Sequence, residues 1–346
     1  MRIAELVGLK KFRVVDGPEP NPGPGDVLVQ VSAVGICGSD MHYYAEGGIG
    51  DSRVKYPVVL GHEPAGVVVR TGANVTGIQP GDHFALEPAI PCHTCEFCRR
   101  GLENLCDNMR FMSSGGIPGF FRQRVTLPAH NLIPIPKHVS LQAATLIEPI
   151  AVVLHSMKFA ALQPGETAAV FGAGPIGLLT IAALKLAGAS RIWAVEPIPH
   201  RREMAKAMGA DVVLDVADPE KTVLLDTHNR GVDVAFDCAA RKNTVARAIA
   251  SLAKAGRLVY TGIPSELDVR FDAVGIRKKE LTIYNVYRSN HQSEAARDLL
   301  ATHTRYFAPL VTHTRPLEDI QTAFNQVDRY SDGVGKMVIT PAGLSV

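Results

Sequence analysis

Thr167-Ala168-Ala169-Val170-Phe171-Gly172-Ala173-Gly174-Pro175-Ile176-Gly177 is the stretch that decides the fold. A short apolar run of strand character meets three glycines spaced G-x-G-x-x-G, and an apolar helix signal over 175–187 follows at once. Glycine at these positions lets the chain turn tightly, lets its backbone approach a pyrophosphate and lets the helix pack closely on the strand. The first amides of that helix, with the positive end of its dipole, then face the phosphates. The next strand, over 191–195, ends beside Glu196, 24 residues after Gly172. An acidic side chain there accepts hydrogen bonds from both hydroxyls of an adenosine ribose and repels a 2′-phosphate, which predicts NAD in preference to NADP. Arg201 and Arg202, just downstream, are the residues that would favour NADP. Gly172, Gly174, Pro175, Ile176, Gly177, Glu196 and Arg201 are therefore the expected cofactor-binding residues.

Outward from this loop the alternation of strand and helix signals continues. A helix ends near Gly209, strands follow at 212–214 and 232–236, then a helix-like stretch at 245–252 and a strand at 257–261. This is the arithmetic of a doubly wound parallel sheet, whose strand order the sequence leaves open. Beyond about 290, helix-like stretches at 293–301 and 317–327 and a late strand at 336–339 do not extend the series, and a return to the first domain is the alternative. Residues 1–140 read differently. Short apolar runs at 27–31 and 66–69 are cut by Pro22-Gly23, Pro24-Gly25 and Pro80-Gly81, the punctuation of a β-rich domain. The expected organisation of the 346 residues is α/β plus β: a β-rich domain over 1–150, completed by about 285–346, and a dinucleotide-binding domain over 151–284.

Thirty-six basic residues against 34 acidic ones leave a net charge of +2, and no Lys/Arg block stands out, which argues against nucleic acid or an anionic membrane surface as partner. Lys10-Lys11 interrupt the N-terminus before an apolar core of signal-peptide length, and no uncharged apolar run of about 18 residues occurs. A soluble, cytoplasmic protein is the expectation.

Four of the six cysteines lie within 92–106, which suits metal better than a disulfide framework. Cys92-x2-Cys95-x2-Cys98-x7-Cys106 can close a tetrahedral thiolate shell by itself, as a structural Zn²⁺ requires. An iron–sulfur cluster is the rival, but the fourth cysteine comes late and no proline follows it. His93, between the thiols, is read as a spectator. A second constellation is dispersed: Cys37 in Gly35-Ile36-Cys37-Gly38-Ser39-Asp40, His62-Glu63 in Gly61-His62-Glu63-Pro64, and Glu148-Pro149. Each alone is unremarkable; together they offer the S, N and O ligands of a zinc that keeps one position open for chemistry.

The Gly61-His62-Glu63 element, the four-cysteine lobe and Gly172–Gly177, in that order, make the chain resemble the zinc-containing medium-chain dehydrogenase/reductase family over essentially its whole length. Within it the sequence is most similar to the polyol (sorbitol and L-iditol) dehydrogenases. Cys37-Gly38-Ser39-Asp40-Met41-His42-Tyr43-Tyr44 is followed by Gly48-Ile49-Gly50-Asp51, and Glu148 stands where simple alcohol dehydrogenases usually carry a cysteine. The resemblance implies a GroES-like β-barrel and a Rossmann domain with the catalytic zinc in the cleft, two zinc ions per subunit, NAD, and a homo-oligomer, tetramer before dimer. It implies a catalytic zinc on Cys37, His62 and a carboxylate, either Glu63 or Glu148, with the other holding water. Ser39 matches a position whose hydroxyl relays the alcohol's proton, His42 continues that path, and Glu148, if not a ligand, passes the proton to bulk water. Tyr43, Phe111 and Arg288 are the implied substrate contacts; Val286-Tyr287-Arg288 departs from the Phe-Arg-Tyr usual in that branch. The implied reaction is hydride transfer from a secondary hydroxyl of a polyol to NAD, giving a ketose. The alternatives are another secondary alcohol, such as L-threonine or butanediol, and, from a different class, a non-catalytic NAD-binding structural protein. A quinone or enone reductase of the same superfamily would lack Cys37, His62 and the cysteine lobe.

Overall fold

The computed structural model describes residues 1–342 apart from Val216, Lys242 and Leu267. The chain divides into two units, Met1–Ala151 with Asn290–Val346, and Val152–Ser289.

In the unit Val152–Ser289, six parallel strands stand in the order Val212–Leu214, Arg191–Val195, Thr167–Phe171, Val232–Asp237, Leu252–Tyr260, Thr282–Asn285 among the described residues. This is the doubly wound Rossmann order 3-2-1-4-5-6, and its reversal point, between Thr167–Phe171 and Val232–Asp237, is where such sheets take a dinucleotide. Strands covered on both faces read as continuous apolar runs, and Ala168, Ala169, Val170 and Phe171 are all fully buried. Trp193, the largest buried side chain, satisfies its one donor by giving Nε1–H to Asp226 Oδ2 at 2.9 Å.

Two details differ from the expectation. Leu252, read as the end of a helix, instead opens the strand Leu252–Tyr260, because the helix Thr244–Ser251 stops where Lys279 Nζ takes the carbonyls of Ala250 and Leu252 at 3.1 and 2.7 Å. The edge strand Thr282–Asn285 gave no clear signal: it is four residues long and exposed at both ends, too short for a period-2 pattern to stand out.

The other unit is built around the strand Asp26–Gly35, which pairs antiparallel with Glu63–Thr71, with Arg124–Pro128 and with Lys336–Thr340. The last of these comes from the C-terminal segment, with Val338 opposite Gly35, and Val311–Pro316, also unanticipated, lies parallel beyond it. His83–Leu86 and Leu132–Pro134 extend the sheet on the other side. The helix Ile320–Asp328 seats Phe324 among Phe12, Tyr44 and Phe121, with ring centroids 4.6, 5.0 and 5.7 Å away. The end of the chain thus shares the core of its beginning. One helical run, Leu141–Ala160, is long and apolar enough to cross a membrane by length and composition, and 67% of its apolar window is buried in the protein.

Candidate active site and metal centres

The register of the central strand assembles the first site. Cys37 lies two residues beyond Gly35, the end of the strand, and Glu63 sits directly across the ladder from Gly35. The Sγ of Cys37, a nitrogen of His62 and a carboxylate oxygen of Glu63 lie within 4.8 Å of one another. Glu148 does not join that set, although its ionisation responds to the charges there. Gly35 is required at the crossing: a Cβ there would stand 2.1 Å from Glu63 Oε2 and 2.8 Å from Lys336 Cε. Through that gap Lys336 Nζ pairs with Glu63 Oε2, both residues 1% exposed.

Two residues that the sequence reading passed over organise the group. Asp40, fully buried, accepts from the backbone N–H of Cys37 at 3.0 Å and of Gly61 at 3.1 Å, and its Oδ1 stands 3.5 Å from His62 Nδ1. One carboxylate thereby fixes both the segment at Cys37 and the segment at Gly61-His62 and turns His62 Nε2 toward the cluster, where Ser39 Oγ lies 3.3 Å away. The signal was available: Asp40 is the third residue of the helix Gly38–Ala45, the capping-box position relative to Cys37. Lys336 could be noticed only as a charge inside an apolar strand; no pattern names its partner.

The residues fit a cation. Glu63 Oε1 is buried with no hydrogen-bond partner among the described residues, an orphaned acceptor beside a thiol and an imidazole. Burial by itself lowers His62, yet Asp40 and Cys37 hold it well above its usual value. Lys336 is likewise lowered by burial and, on balance, raised by Glu63 and Cys37. Burial, reinforced by Glu63 and Glu87, pushes Glu148 up to about 8. Three different kinds of group are thus driven to keep protons, the mark of a pocket short of positive charge.

Of the other expected site residues in this unit, Phe111 places its ring 5.7 Å from that of His62 and Tyr43 packs on the edge of the core. His42 Nδ1 is 3.0 Å from Glu46 Oε2, so among the described residues its bond goes to Glu46 and not to Ser39.

The sulfurs of Cys92, Cys95, Cys98 and Cys106 lie within 4.8 Å of one another. Cys92 N–H donates to Cys106 Sγ at 3.3 Å and Cys95 N–H to Cys92 Sγ at 3.4 Å. Hydrogen bonds, led by that from the Thr94 backbone, hold Cys92 down at about 5, whereas burial and then the neighbouring thiols push Cys98 up to about 12. Four sulfurs this crowded cannot all ionise alone, and a divalent ion removes the conflict. His93 pairs with Glu103, Nδ1 to Oε1 2.9 Å, and stays outside the sulfur group.

In the other unit, the glycine loop is held by strand-end groups. Gly172, at φ +93°, donates to Val195 O at 2.8 Å and leaves no room for a Cβ, which would meet Ala239 Cβ at 2.7 Å. Gly174 caps the helix Pro175–Leu186, with Pro175 at its first position and the Ile176 carbonyl taken by Thr180 Oγ1. Glu196, 4% exposed, accepts from Ala173 N–H at 2.8 Å and from Ile198 N–H at 3.0 Å. The Arg201 guanidinium lies beside the loop: a Cβ on Gly174 would be 3.8 Å from its Nη1. Arg202 bonds to the carbonyls of Glu196 and Pro197 and pairs with Asp215 at 3.0 Å. Arg288 stacks over Tyr287, 4.7 Å from the ring centroid.

A Rossmann sheet with a glycine loop and a thiolate–imidazole–carboxylate set, in one chain, defines a metal-dependent oxidoreductase that uses a nicotinamide cofactor. The chain belongs to the zinc-containing medium-chain dehydrogenase/reductase family, in its polyol dehydrogenase branch. Residues 23–137 match the alcohol dehydrogenase GroES-like domain and residues 175–302 the zinc-binding dehydrogenase domain. The chain is 34% identical to a sorbitol dehydrogenase of Bacillus subtilis (strain 168), over 99% of this chain and 97% of that one. It is 33% identical to an L-idonate 5-dehydrogenase of Vitis vinifera, over 96% and 93% of the two chains. Its structure resembles that of 2R,3R-butanediol dehydrogenase from Bacillus subtilis, with TM-score 0.88, 32% identity and coverage of 98% and 99%.

Proposed function

We propose that this protein oxidises a secondary hydroxyl of a polyol or sugar alcohol to the corresponding ketose and passes the hydride to NAD. The observation that carries the reading is the Cys37–His62–Glu63 set with its orphaned buried oxygen. We assign Cys37, His62 and Glu63 as the ligands of a catalytic zinc and the four lobe cysteines as those of a second, structural one. Zinc bound at the first site would supply acidity: a metal can lower the pKa of a held water from about 15.7 to about 7, roughly 12 kcal/mol in favour of the anion. Ser39 Oγ takes the substrate's hydroxyl proton as it releases its own to a water; His62 Nε2, 3.3 Å from that hydroxyl, is kept for the metal and is not a station of the path. His42 is the outer station of that path, reached through a water. Glu148, outside the ligand set and proton-retaining, exchanges the proton with bulk solvent. Phe111 beside His62, Tyr43 and Arg288 are the proposed substrate contacts.

Glu196 supports NAD over NADP. Two backbone amides hold its carboxylate at the strand end and leave lone pairs for the ribose hydroxyls. Glu196→Ala is expected to lower kcat/KM for NAD at least about tenfold, since a hydrogen bond to a charged group contributes about 1.5–3 kcal/mol, while NADP turnover holds or improves. Initial rates with both cofactors test this; an unchanged preference for NAD would remove Glu196 from the role.

For the lobe, Cys95→Ala is expected to lose one zinc per chain and about 3 kcal/mol of stability, a fall in Tm on the order of 10 °C. Metal analysis beside a thermal melt gives the answer, and a variant that keeps both its Tm and its full metal content contradicts the structural-zinc assignment. A homo-oligomer, tetramer before dimer, follows the resemblance to the polyol branch and is read out by light scattering. A cytoplasmic location is in keeping with the balanced charge and ordinary globular composition.

The decisive assay is NADH formation at 340 nm over sorbitol, xylitol, L-iditol, L-threonine, 2,3-butanediol and ethanol, with a chelator control. Chelator-sensitive activity on polyols is the expected result. The similarity to the butanediol dehydrogenase favours a second reading, in which another secondary alcohol is the substrate; activity on butanediol with silence on every polyol would establish it.

A further inference from the structure

Seven residues, 99–105, separate Cys98 from Cys106, more chain than closing a thiolate shell requires. Two of their backbone groups reach out of the lobe to one side chain. Asn290 Nδ2 donates to Gly101 O at 2.8 Å, and Asn104 N–H donates to Asn290 Oδ1 at 3.4 Å. Both ends of the amide are therefore held by backbone framed between two of the cysteines. The contacts continue along the chain: His291 Nε2 stands 3.7 Å from Glu103 Oε2, and Ser293 Oγ donates to Glu87 Oε2 at 2.5 Å. Gln292 Nε2 closes the turn on itself by donating to the carbonyls of Asn290 and His291 at 3.1 and 2.6 Å.

The backbone being held is an unusual one. Arg288 has φ +59° and His291 φ +54°, left-handed values that residues with a side chain keep only where their surroundings over-determine them. Asn290 lies between these two residues, and its side chain makes two hydrogen bonds to the lobe backbone.

We propose that Asn290 is a positioning residue: through it the cysteine lobe fixes the turn 287–293 and, with it, the backbone that carries Arg288. The long spacing between the third and fourth cysteines is then the docking edge for this turn, and the lobe metal, by holding Cys98 and Cys106, sets the separation of the carbonyl and amide that receive it. The effect on catalysis rests on the reading of Arg288 as a contact of the polyol.

The test is hydrogen–deuterium exchange of the peptide spanning 285–293 in the full, zinc-loaded chain, beside steady-state kinetics, for Asn290→Ala and Asn290→Asp. Asp keeps the acceptor for the Asn104 N–H and loses the donor to Gly101, and it serves if the alanine variant does not fold. Expected for Asn290→Ala are about tenfold faster exchange in that peptide, kcat/KM for the polyol down by about tenfold to a hundredfold mainly through KM, zinc content unchanged and the Kd for NADH within about twofold, with the aspartate variant in between. Stripping the lobe metal from the wild type is expected to speed exchange in the same peptide. Unchanged exchange in Asn290→Ala overturns the anchor. Faster exchange with an unchanged KM for a polyol that is turned over also overturns the proposal, because the contact is then a staple without influence on substrate. A wild type inactive on every polyol overturns the substrate reading instead, and the exchange measurement alone then decides the anchor.

Discussion

Cys37→Ala abolishes turnover, with a loss of a thousandfold or more expected, while NAD binding stays within about twofold of wild type. The Cys37 sulfur is one of the three proposed ligand atoms, which lie within 4.8 Å of one another, and losing even a group that only orients a ligand typically costs about 10–100-fold in metal affinity or activity. Losing a ligand itself removes the acidity on which proton loss from the alcohol depends. The fold should survive, because Cys37 contributes its backbone N–H to Asp40 and its carbonyl to Met41, neither of which the substitution touches. Metal analysis, cofactor titration by fluorescence and initial rates on one preparation separate these effects. Turnover within tenfold of wild type would show that the reaction does not run through this site.

Gly177→Ala is the second large effect, and its origin is purely steric. A Cβ at 177 would lie 1.8 Å from the carbonyl oxygen of Gly172 and 2.9 Å from its carbon, backbone atoms that no side-chain rotation can move aside. The glycine turn must open, and NAD affinity should fall by about two orders of magnitude, the scale of an angstrom-level misplacement. Tm should fall too, because the clash exists without cofactor. Gly174→Ala is the control: the nearest heavy atom to its Cβ is Arg201 Nη1 at 3.8 Å, so the free chain accepts it and only the bound pyrophosphate meets it. Calorimetric titration with NADH should find both variants weakened but only Gly177→Ala with a lowered melt, and a Gly177→Ala protein with wild-type affinity would contradict the geometry.

What the sequence made legible follows from how local each signal is. The strand Arg191–Val195, the helix beginning at Pro175 and the four-cysteine group are each defined by residues close in the chain, and the structure has them at the anticipated positions. The dispersed set of Cys37, His62 and a carboxylate, Glu63 or Glu148, came from resemblance, and the register of Gly35 against Glu63 explains why it is Glu63 that stands beside Cys37 and His62. Asp40 and Lys336 escaped notice for different reasons. Asp40 was hidden by a pattern of capping that any helix start uses, whereas Lys336 depends on a partner 273 positions earlier, which no local period encodes. The edge strands escaped for lack of apolar signal: Thr282–Asn285 is only four residues long, and Val311–Pro316 alternates in burial but offers Val311 alone as an aliphatic residue before its terminal proline.

The pairing of Val338 with Gly35 joins positions 303 residues apart. A ribosome adds about 5–20 residues per second, so the strand that receives Lys336 waits tens of seconds for it. During that interval Glu63 has no ammonium partner, and the continuous stretch Val152–Ser289 has emerged whole and can fold first. The order of synthesis therefore separates the two units in time: the unit Val152–Ser289 can mature on the ribosome, and the unit that carries Cys37, His62 and Glu63 closes only after the strand Lys336–Thr340 leaves the exit tunnel. A nascent chain stalled before residue 336 would have a finished dinucleotide loop and a Glu63 without its ammonium partner, and a chain cut ahead of Lys336 would keep that arrested state.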